Sequence, residues 1–463
     1  MNGNSEPYII RILIIMLIIG FLINLIASRE TQVYYSYSYN YKASLKWEFS
    51  TGRFTVLTDV NNDSIADVVT IGNEARSIYV LNGTNGEIMI NKTLNYVVER
   101  LIPLTSGILG YGDYLVYLEK PNLEVKYSIY IEGSILDIVA TETGDSIFGF
   151  LINSTKSGEE TYNCSLLRID IKTGIVYTFK SWKRTSGGPE YKLYIANVND
   201  DSEPELIVCN YALRGPLWVL SFDDKLLWTR DIGGKLTFTD ANGDGITDII
   251  RVYGLSDYFN NRVTIINGSN GVTLSEWPIG MAGILLGLGD VNNDGMLELI
   301  MKEWPSPISA ISGEYFEDRI AVHRIWDGTV IWRKKFDGIN LIWPEAAIGD
   351  INGDGIDDLV AACIGDFGYG NLGFIVLSND GKLLYKQRIV HSFEAFFVLL
   401  GDIDGDRHTE IIIFGERGDI LAYDTEPAGT GTPWPYIRGQ IEGTYVSNSM
   451  HSDFYTNFRS PYR

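Results

Sequence analysis

One short pattern recurs along the chain and restricts its fold more than any other feature. It begins at Asp59 (DVNNDSIAD), Asn197 (NVNDDSEPE), Asp240 (DANGDGITD), Asp290 (DVNNDGMLE), Asp350 (DINGDGIDD) and Asp402 (DIDGDRHTE). Oxygen-bearing side chains at positions 1, 3 and 5 of a tight loop converge on one centre, and Gly at position 6 permits the sharp turn that hard-cation coordination demands. One such run is explained by the turn preferences of Asp, Asn and Gly. Six copies with acids or amides at the same positions point to cation binding, with Ca2+ the expected ion.

The stretch DINGDGIDDLV taken alone looks like the start of an EF-hand. An EF-hand needs a bidentate Glu at position 12, and here that position holds Thr70, Val208, Arg251, Met301, Ala361 and Ile413. Every copy instead carries an acid at position 9: Asp67, Glu205, Asp248, Glu298, Asp358 and Glu410. The side-chain donors expected ahead of that acid are Asp59, Asn61 and Asp63; Asn197, Asn199 and Asp201; Asp240, Asn242 and Asp244; Asp290, Asn292 and Asp294; Asp350, Asn352 and Asp354; and Asp402, Asp404 and Asp406. The Asn197 copy is poorer in carboxylates, and the Asp402 copy has Arg407 where Gly is preferred, so these two are expected to bind most weakly.

Short β-branched runs flank the loops, for example Phe54-Thr55-Val56-Leu57 before and Val68-Val69 after the first, which suits strands and not helices. An outer hairpin follows each pair: Ile78 to Ile90, Leu217 to Trp228, Val263 to Trp277, Val322 to Trp332 and Phe374 to Tyr385, with Gly- and Asp-rich turns. Each unit is thus four strands, and loop-to-loop intervals of 43, 50, 60 and 52 residues suit one propeller blade apiece. The 138 residues between the Asp59 and Asn197 loops hold a worn copy at Thr141 to Ser146 and a ligand-free unit at Leu101 to Ile131. The expected fold is an all-β propeller of eight four-stranded antiparallel blades, with seven as the alternative. The last unit lacks a fourth strand, and Leu45-Lys46-Trp47-Glu48-Phe49 resembles the fourth strands elsewhere, so an N-terminal strand is expected to close the ring.

The chain resembles the FG-GAP repeat family over about Ala43 to Asp424: the calcium-loop propellers of integrin α-subunit heads and of many prokaryotic surface proteins, with VCBS-type repeats alongside. The D-x-[DN]-x-D-[GS]-x-x-[DE] loops carry the resemblance, and the outer hairpins are also similar, less specifically, to quinoprotein-type repeats. The family implies structural calcium on the lower face of the ring. It also implies that the backbone carbonyl at position 7 is a ligand, as at Ile356, and by extension at Ile65, Glu203, Ile246, Met296 and His408.

The segment 9–27, built on ILIIMLIIGFLINLIA, reaches membrane-spanning length, and its poor cleavage pattern favours an uncleaved anchor over a secretory signal. The expected organisation is a cytoplasmic tail 1–8, anchor 9–27, linker 28–42, propeller 43–424 outside the cytoplasm and a Gly/Pro/aromatic tail 425–463. If the anchor is cleaved, the protein is secreted. A net charge of -22 argues against a nucleic-acid partner. Cys164, Cys209 and Cys363 form neither a disulfide framework nor a metal cluster, and the four histidines lack zinc spacing.

Aromatic loops on the opposite, upper face supply the candidate ligand residues: Tyr211 and Arg214; Tyr258 and Phe259; Trp304, Tyr315 and Phe316; Trp343; Phe367 and Tyr369; and His391. Exposed aromatics beside charged and amide groups suit protein or glycan recognition; the competing reading is that these rings pack on one another. The expected function is a membrane-anchored extracellular binding or adhesion module. The alternatives are a propeller enzyme, either a polysaccharide lyase or a quinoprotein-like dehydrogenase, and a purely structural envelope component. No catalytic constellation identifies an enzyme.

Overall fold

The structure, a computed structural model, describes residues 42–143, 146–158, 161–185, 191–199, 201, 203–210, 215–253, 261–279, 283–303, 319–336, 339–365, 372–389, 396–415, 418–426 and 445–446. These residues are all-β. The chain opens with β1 (Lys42–Phe49) and then lays down blade 1 as β2 (Gly52–Thr58), β3 (Asp67–Gly72), β4 (Ser77–Leu81) and β5 (Ile88–Thr93). Blade 2 is β6 (Val98–Pro103), β7 (Gly107–Gly112), β8 (Tyr114–Glu119) and β9 (Glu124–Tyr130). Blade 3 is β10 (Ser134–Thr143), β11 (Ser146–Lys156), β12 (Thr161–Asp170) and β13 (Ile175–Thr185). Blade 4 is β14 (Tyr191–Ala196), β15 (Glu205–Asn210), β16 (Pro216–Leu220) and β17 (Leu226–Asp231).

Blade 5 is β18 (Lys235–Thr239), β19 (Asp248–Tyr253), β20 (Arg262–Ile266) and β21 (Thr273–Pro278), and blade 6 is β22 (Gly283–Gly289), β23 (Glu298–Glu303), β24 (Arg319–Arg324) and β25 (Val330–Lys335). Blade 7 is β26 (Ile339–Gly349), β27 (Asp358–Gly365), β28 (Leu372–Leu377) and β29 (Leu383–Ile389). Blade 8 is β30 (Phe396–Gly401), β31 (Glu410–Gly415) and β32 (Ile420–Glu426), with β1 as its outermost strand. A two-residue strand, β33 (Tyr445–Val446), pairs with β14 at the free edge of blade 4.

Each blade has four antiparallel strands, with β33 added to blade 4, and the contacts of β2 with β6, β10 with β14, β22 with β26, β26 with β30 and β30 with β2 place the first strands on the inner ring. The sequence explains the layering. Second strands such as DVVTIG and ELIVCN are buried along their whole length, whereas fourth strands such as IMINKT alternate exposed and half-buried residues. The apolar residues form eight clusters, each between two adjacent blades, so the core is a set of blade-to-blade seams. Cys164, Cys209 and Cys363 are in no disulfide among the described residues and are buried in these seams.

Four junctions share a latch. A tryptophan on the outermost strand of one blade lies against a glycine of positive φ in the next blade's outer turn, and its Nε1 donates to a carbonyl of that turn. The pairs are Trp47 to Gly83 at 2.5 Å, Trp228 to Gly268 at 2.7 Å, Trp277 to Ile325 at 2.8 Å and Trp332 to Asn379 at 2.7 Å. The stacking glycines are Gly86, Gly271, Gly328 and Gly381, where an added Cβ would come within 2.4–2.9 Å of the indole. Glycine is thus required there both by the left-handed backbone and by the ring lying on it. Each latch joins indole burial to a satisfied buried N–H.

The expected anchor 9–27, with segments 1–8 and 28–41, lies outside the described residues. Among the described residues no helix is long and apolar enough to cross a membrane.

Candidate functional site

All six repeated loops connect the first to the second strand of a blade, those of blades 1 and 4 to 8. The outer turns sit on the same side: a Cβ on Gly268 would meet the Val198 and Thr247 carbonyls, and one on Gly83 would meet the Ile403 carbonyl. Asn379, in the outer turn of blade 7, donates its N–H to Asp358 Oδ1 at 3.1 Å.

Each loop is wound around its own acids. In the Asp350 loop, Oδ1 of Asp350 accepts the N–H groups of Gly353 (2.7 Å) and Asp354 (3.1 Å), and Oδ2 accepts that of Gly355 (2.8 Å). Asn352 Oδ1 accepts from Asp354 N at 2.9 Å, and Asp354 Oδ1 from Ile356 N at 2.9 Å. Asp59, Asp240, Asp290 and Asp402 hold their loops in the same way. The third and fifth residues do so in every copy: Asn61, Asn199, Asn242, Asn292 and Asp404 at position 3, and Asp63, Asp201, Asp244, Asp294 and Asp406 at position 5.

The winding requires a left-handed residue at positions 4 and 6. These are Asn62 and Ser64, Gly243 and Gly245, Asn293 and Gly295, Gly353 and Gly355, and Gly405 and Arg407. Only position 6 was expected to be special. The signal at position 4 is the run of Asn and Gly, the residues that enter this region most readily. Arg407, with φ at 72°, is the misfit. A left-handed non-glycine residue costs about 1–2 kcal/mol, partly offset in a glycine variant by roughly 0.5–1 kcal/mol of chain entropy. Arg407→Gly is therefore expected to raise stability by about 0.5 kcal/mol or more in denaturant titration. A destabilised variant would show that the Arg407 side chain supplies a compensating contact.

The acid at position 9 works from the following strand. One oxygen accepts the N–H at position 2 in all six loops, Val60 to Asp67, Val198 to Glu205, Ala241 to Asp248, Val291 to Glu298, Ile351 to Asp358 and Ile403 to Glu410, at 2.9–3.3 Å. The second oxygen accepts from the position-3 amide in Glu205 (Asn199, 2.5 Å) and Glu298 (Asn292, 2.7 Å) and from the Asn379 N–H in Asp358. In Asp248 and Glu410 it is buried without a partner, on side chains that are 0% exposed. An orphaned buried carboxylate oxygen is costly unless something positive meets it. Burial, reinforced by the other acids of the same loop, pushes these groups upward: to about 6 at Asp248, about 7 at Glu205 and Glu298, about 8 at Asp358 and Glu410, and in the same direction at Asp67.

Neighbouring loops are also joined. Asp357 Oδ2 accepts the N–H of Asp290 at 2.9 Å, and Thr409 Oγ1 donates to the Asp350 carbonyl at 3.4 Å. Residue 8 of one loop thereby fixes residue 1 of the loop before it across the arc of blades 6 to 8.

The Asp402 loop is distinct in a second respect. Asp402, Asp404 and Glu410 converge within 4.8 Å of one another, and Lys46 of β1 donates to Asp404 and lies 3.9 Å from Asp424. Burial opposes the charge on Lys46, yet its hydrogen bond to Asp404 and the carboxylates of Glu410, Asp404 and Asp424 hold its pKa above the ordinary value. This loop thus carries a cation supplied by the chain itself.

Blades 2 and 3 lack the donor loop. In blade 2 the short turn after β6 gives its Thr105 and Ser106 N–H groups and the Ser106 hydroxyl to Glu142 of blade 3. Of the upper-face candidates, Tyr211, Arg214, Tyr258, Phe259, Trp304, Tyr315, Phe316, Phe367, Tyr369 and His391 lie outside the described residues. The backbone of Trp343 lies in β26, but its side chain is outside the described set. One buried polar network of the described residues has a catalytic look: His323 Nε2 is 2.9 Å from Glu303 Oε1, and Arg333 Nε donates to Glu303 Oε2 at 2.5 Å. His323 stacks on Trp277 and its Nδ1 is 3.1 Å from the Gly328 carbonyl, so the network backs a latch.

No family model matches the chain, and no curated protein matches it. Among solved structures it is similar to Sqt1 of Saccharomyces cerevisiae (TM-score 0.54, 11% identity, 83% of this chain and 100% of that one). It is also similar to the WD40 domain of SCAP from fission yeast (TM-score 0.48, 9% identity, 84% of this chain and 99% of that one). BBS1N in complex with ARL6DN gives TM-score 0.43 at 9% identity over 82% of this chain and 94% of that one. At these identities the likeness to Sqt1 supports the propeller fold and nothing finer.

Proposed function

We propose that the protein is a calcium-stabilised propeller of the FG-GAP type that serves as a binding module, held outside the cytoplasm by its N-terminal segment, with protein or glycan ligands. The observation that carries the calcium reading is the geometry of the position-9 acid. In all six loops one of its oxygens holds the position-2 N–H; in Glu410 the acid also converges with Asp402 and Asp404, and in Asp248 and Glu410 the second oxygen is buried with no hydrogen-bond partner. The oxygen-only donor set selects a hard cation, and flexible loops built from carboxylates, amides and backbone carbonyls favour calcium over the smaller magnesium ion. The carbonyls at position 7, those of Ile65, Glu203, Ile246, Met296, Ile356 and His408, would complete each shell.

Six divalent ions would add twelve positive charges and bring the formal charge from -22 to about -10. Weak extracellular sites fill at about millimolar calcium, which fits a domain placed outside the cell. The binding-module reading rests on the architecture: propellers are common interaction scaffolds, and activity on such a scaffold lies in its loops. The expected membrane attachment through 9–27 rests on the sequence of that segment.

The pairing of β1 with β32, from Lys42 with Glu426 to Phe49 with Ile420, supports a closing role for the N-terminal strand. It covers an open sheet edge and delivers Trp47 to the latch on blade 1.

The test is the metal content of purified protein after exhaustive dialysis in calcium. Four or more bound ions per chain are expected, with the Lys46-filled Asp402 loop and the carboxylate-poor Asn197 loop last to fill. Two or fewer ions would refute the reading. On protein and glycan arrays the calcium-loaded chain should bind a defined subset; a blank on both would favour the structural-component alternative.

A further inference from the structure

The junction between blades 3 and 4 breaks the latch. Tyr177 pairs with Arg168 as Trp228 pairs with Val219, yet it does not dock and remains 53% exposed. The outer turn of blade 4 closes as that of blade 7 does, Asp224 N to the Ser221 carbonyl matching Gly381 N to the Ser378 carbonyl. The left-handed residue is Asp224, φ 70°, where the latched turns have glycine. Its Cβ occupies the place against which an indole would lie. The carbonyl that should receive an indole N–H, that of Phe222, takes a hydrogen bond at 2.9 Å from Arg168 Nη1 instead.

Both halves of the latch are therefore altered together, and a cavity of 440 Å³ stands beside them. That volume falls within the range of small-molecule sites, about 300–1,000 Å³. Its walls carry both signs of charge. The Arg168 guanidinium lies 4.0 Å over the Phe148 ring, and a guanidinium has five N–H donors, of which the Phe222 carbonyl takes one. Asp170, Asp223 and Asp224 supply carboxylates, and Tyr177 offers an exposed ring face. An anion would meet three carboxylates and a simple cation would meet the guanidinium. A neutral polyol that donates to carboxylates, accepts from the guanidinium and lays a C–H face on an aromatic ring uses every wall.

We infer that this cavity binds a neutral sugar ring, a site separate from the metal loops and from the aromatic upper-face loops. The experiment is saturation-transfer NMR on the full-length, calcium-loaded chain with methyl glycosides of glucose, galactose, mannose and N-acetylglucosamine, and with cellobiose. At least one should bind, and Tyr177→Ala should weaken it tenfold or more. Tyr130→Ala, a change at an exposed ring on blade 2, should leave it unchanged. If Tyr177→Ala does not fold, Asp223→Asn with Asp224→Asn, both at exposed turn positions, serves in its place with the same expected loss. The inference is overturned if no sugar in the panel binds, if binding is indifferent to these substitutions, or if a short basic peptide binds at Tyr177 and the sugars do not. Metal content is read on the same samples, so failure of the sugar site and failure of the calcium reading are distinguishable.

Discussion

Adding a calcium chelator to the purified protein is expected to lower its melting temperature by about 20 °C or more. The size follows from mass action: an ion that binds only the folded state stabilises by about 2.7 kcal/mol per site when it is present at a hundredfold excess over Kd. Four or five such sites sum to roughly 10 kcal/mol or more, as large as the whole net stability of an ordinary domain, about 5–15 kcal/mol. The carboxylates left behind make the loss steeper. Five of the six loops gather acids from positions 1, 5 and 9, and burial already pushes the position-9 acid toward protonation, as at Asp358 and Glu410. Because Asp357 holds Asp290 and Thr409 holds Asp350, emptying one loop should loosen the next. Loss of ions during titration with chelator is therefore expected to be cooperative in the arc of blades 6 to 8. A melting temperature unchanged by chelator would remove the calcium reading altogether.

Removing β1 is the second large effect. A chain lacking Lys42–Phe49 should not reach the native melting temperature, and a loss of about 10 °C or more, or aggregation on purification, is expected. Three contributions disappear together: the hydrogen-bonded edge along β32, the Lys46 ammonium that meets Asp404, and the 7%-exposed indole of Trp47 against Gly86. Trp47→Ala isolates the last, with an expected cost of roughly 3–5 kcal/mol as for other buried aromatics. Circular dichroism melts of the deletion and of the point variant give both numbers. A deletion that melts like the full chain would show that β1 merely decorates blade 8.

The ring was legible because it repeats. A four-stranded unit is written eight times, six of them with the acidic loop between first and second strands, and β1 could be assigned to blade 8 because Leu45 to Phe49 matches the fourth strands of other units. The repeated loops were legible at positions 1, 3, 5 and 9, where side-chain oxygens accept the loop's own N–H groups. Other features had no local signal. Lys46 reaches Asp404 across 358 residues of sequence, and no pattern near either residue announces it. The bonds from Asp357 to Asp290 and from Thr409 to Asp350 depend on the stagger between blades, which is a property of the assembled ring. The cavity beside Tyr177 is legible only by comparison with the latched junctions, since its defining event is an aspartate standing where they have glycine.

The strand order of blade 8 carries a consequence for how the molecule comes into being. Of the described strands β1 is synthesised first, yet it completes blade 8, so it must wait for β32 while the seven other blades are synthesised. Until then β1 is an unpaired strand with an exposed indole, and β32 emerges with a bare edge. Pairings of such long sequence separation form late and slowly. Nascent chains stalled before residue 420 should accordingly be protease-sensitive at their N-terminal strand even when their middle blades are already resistant, and the two ends should become protected in a single step.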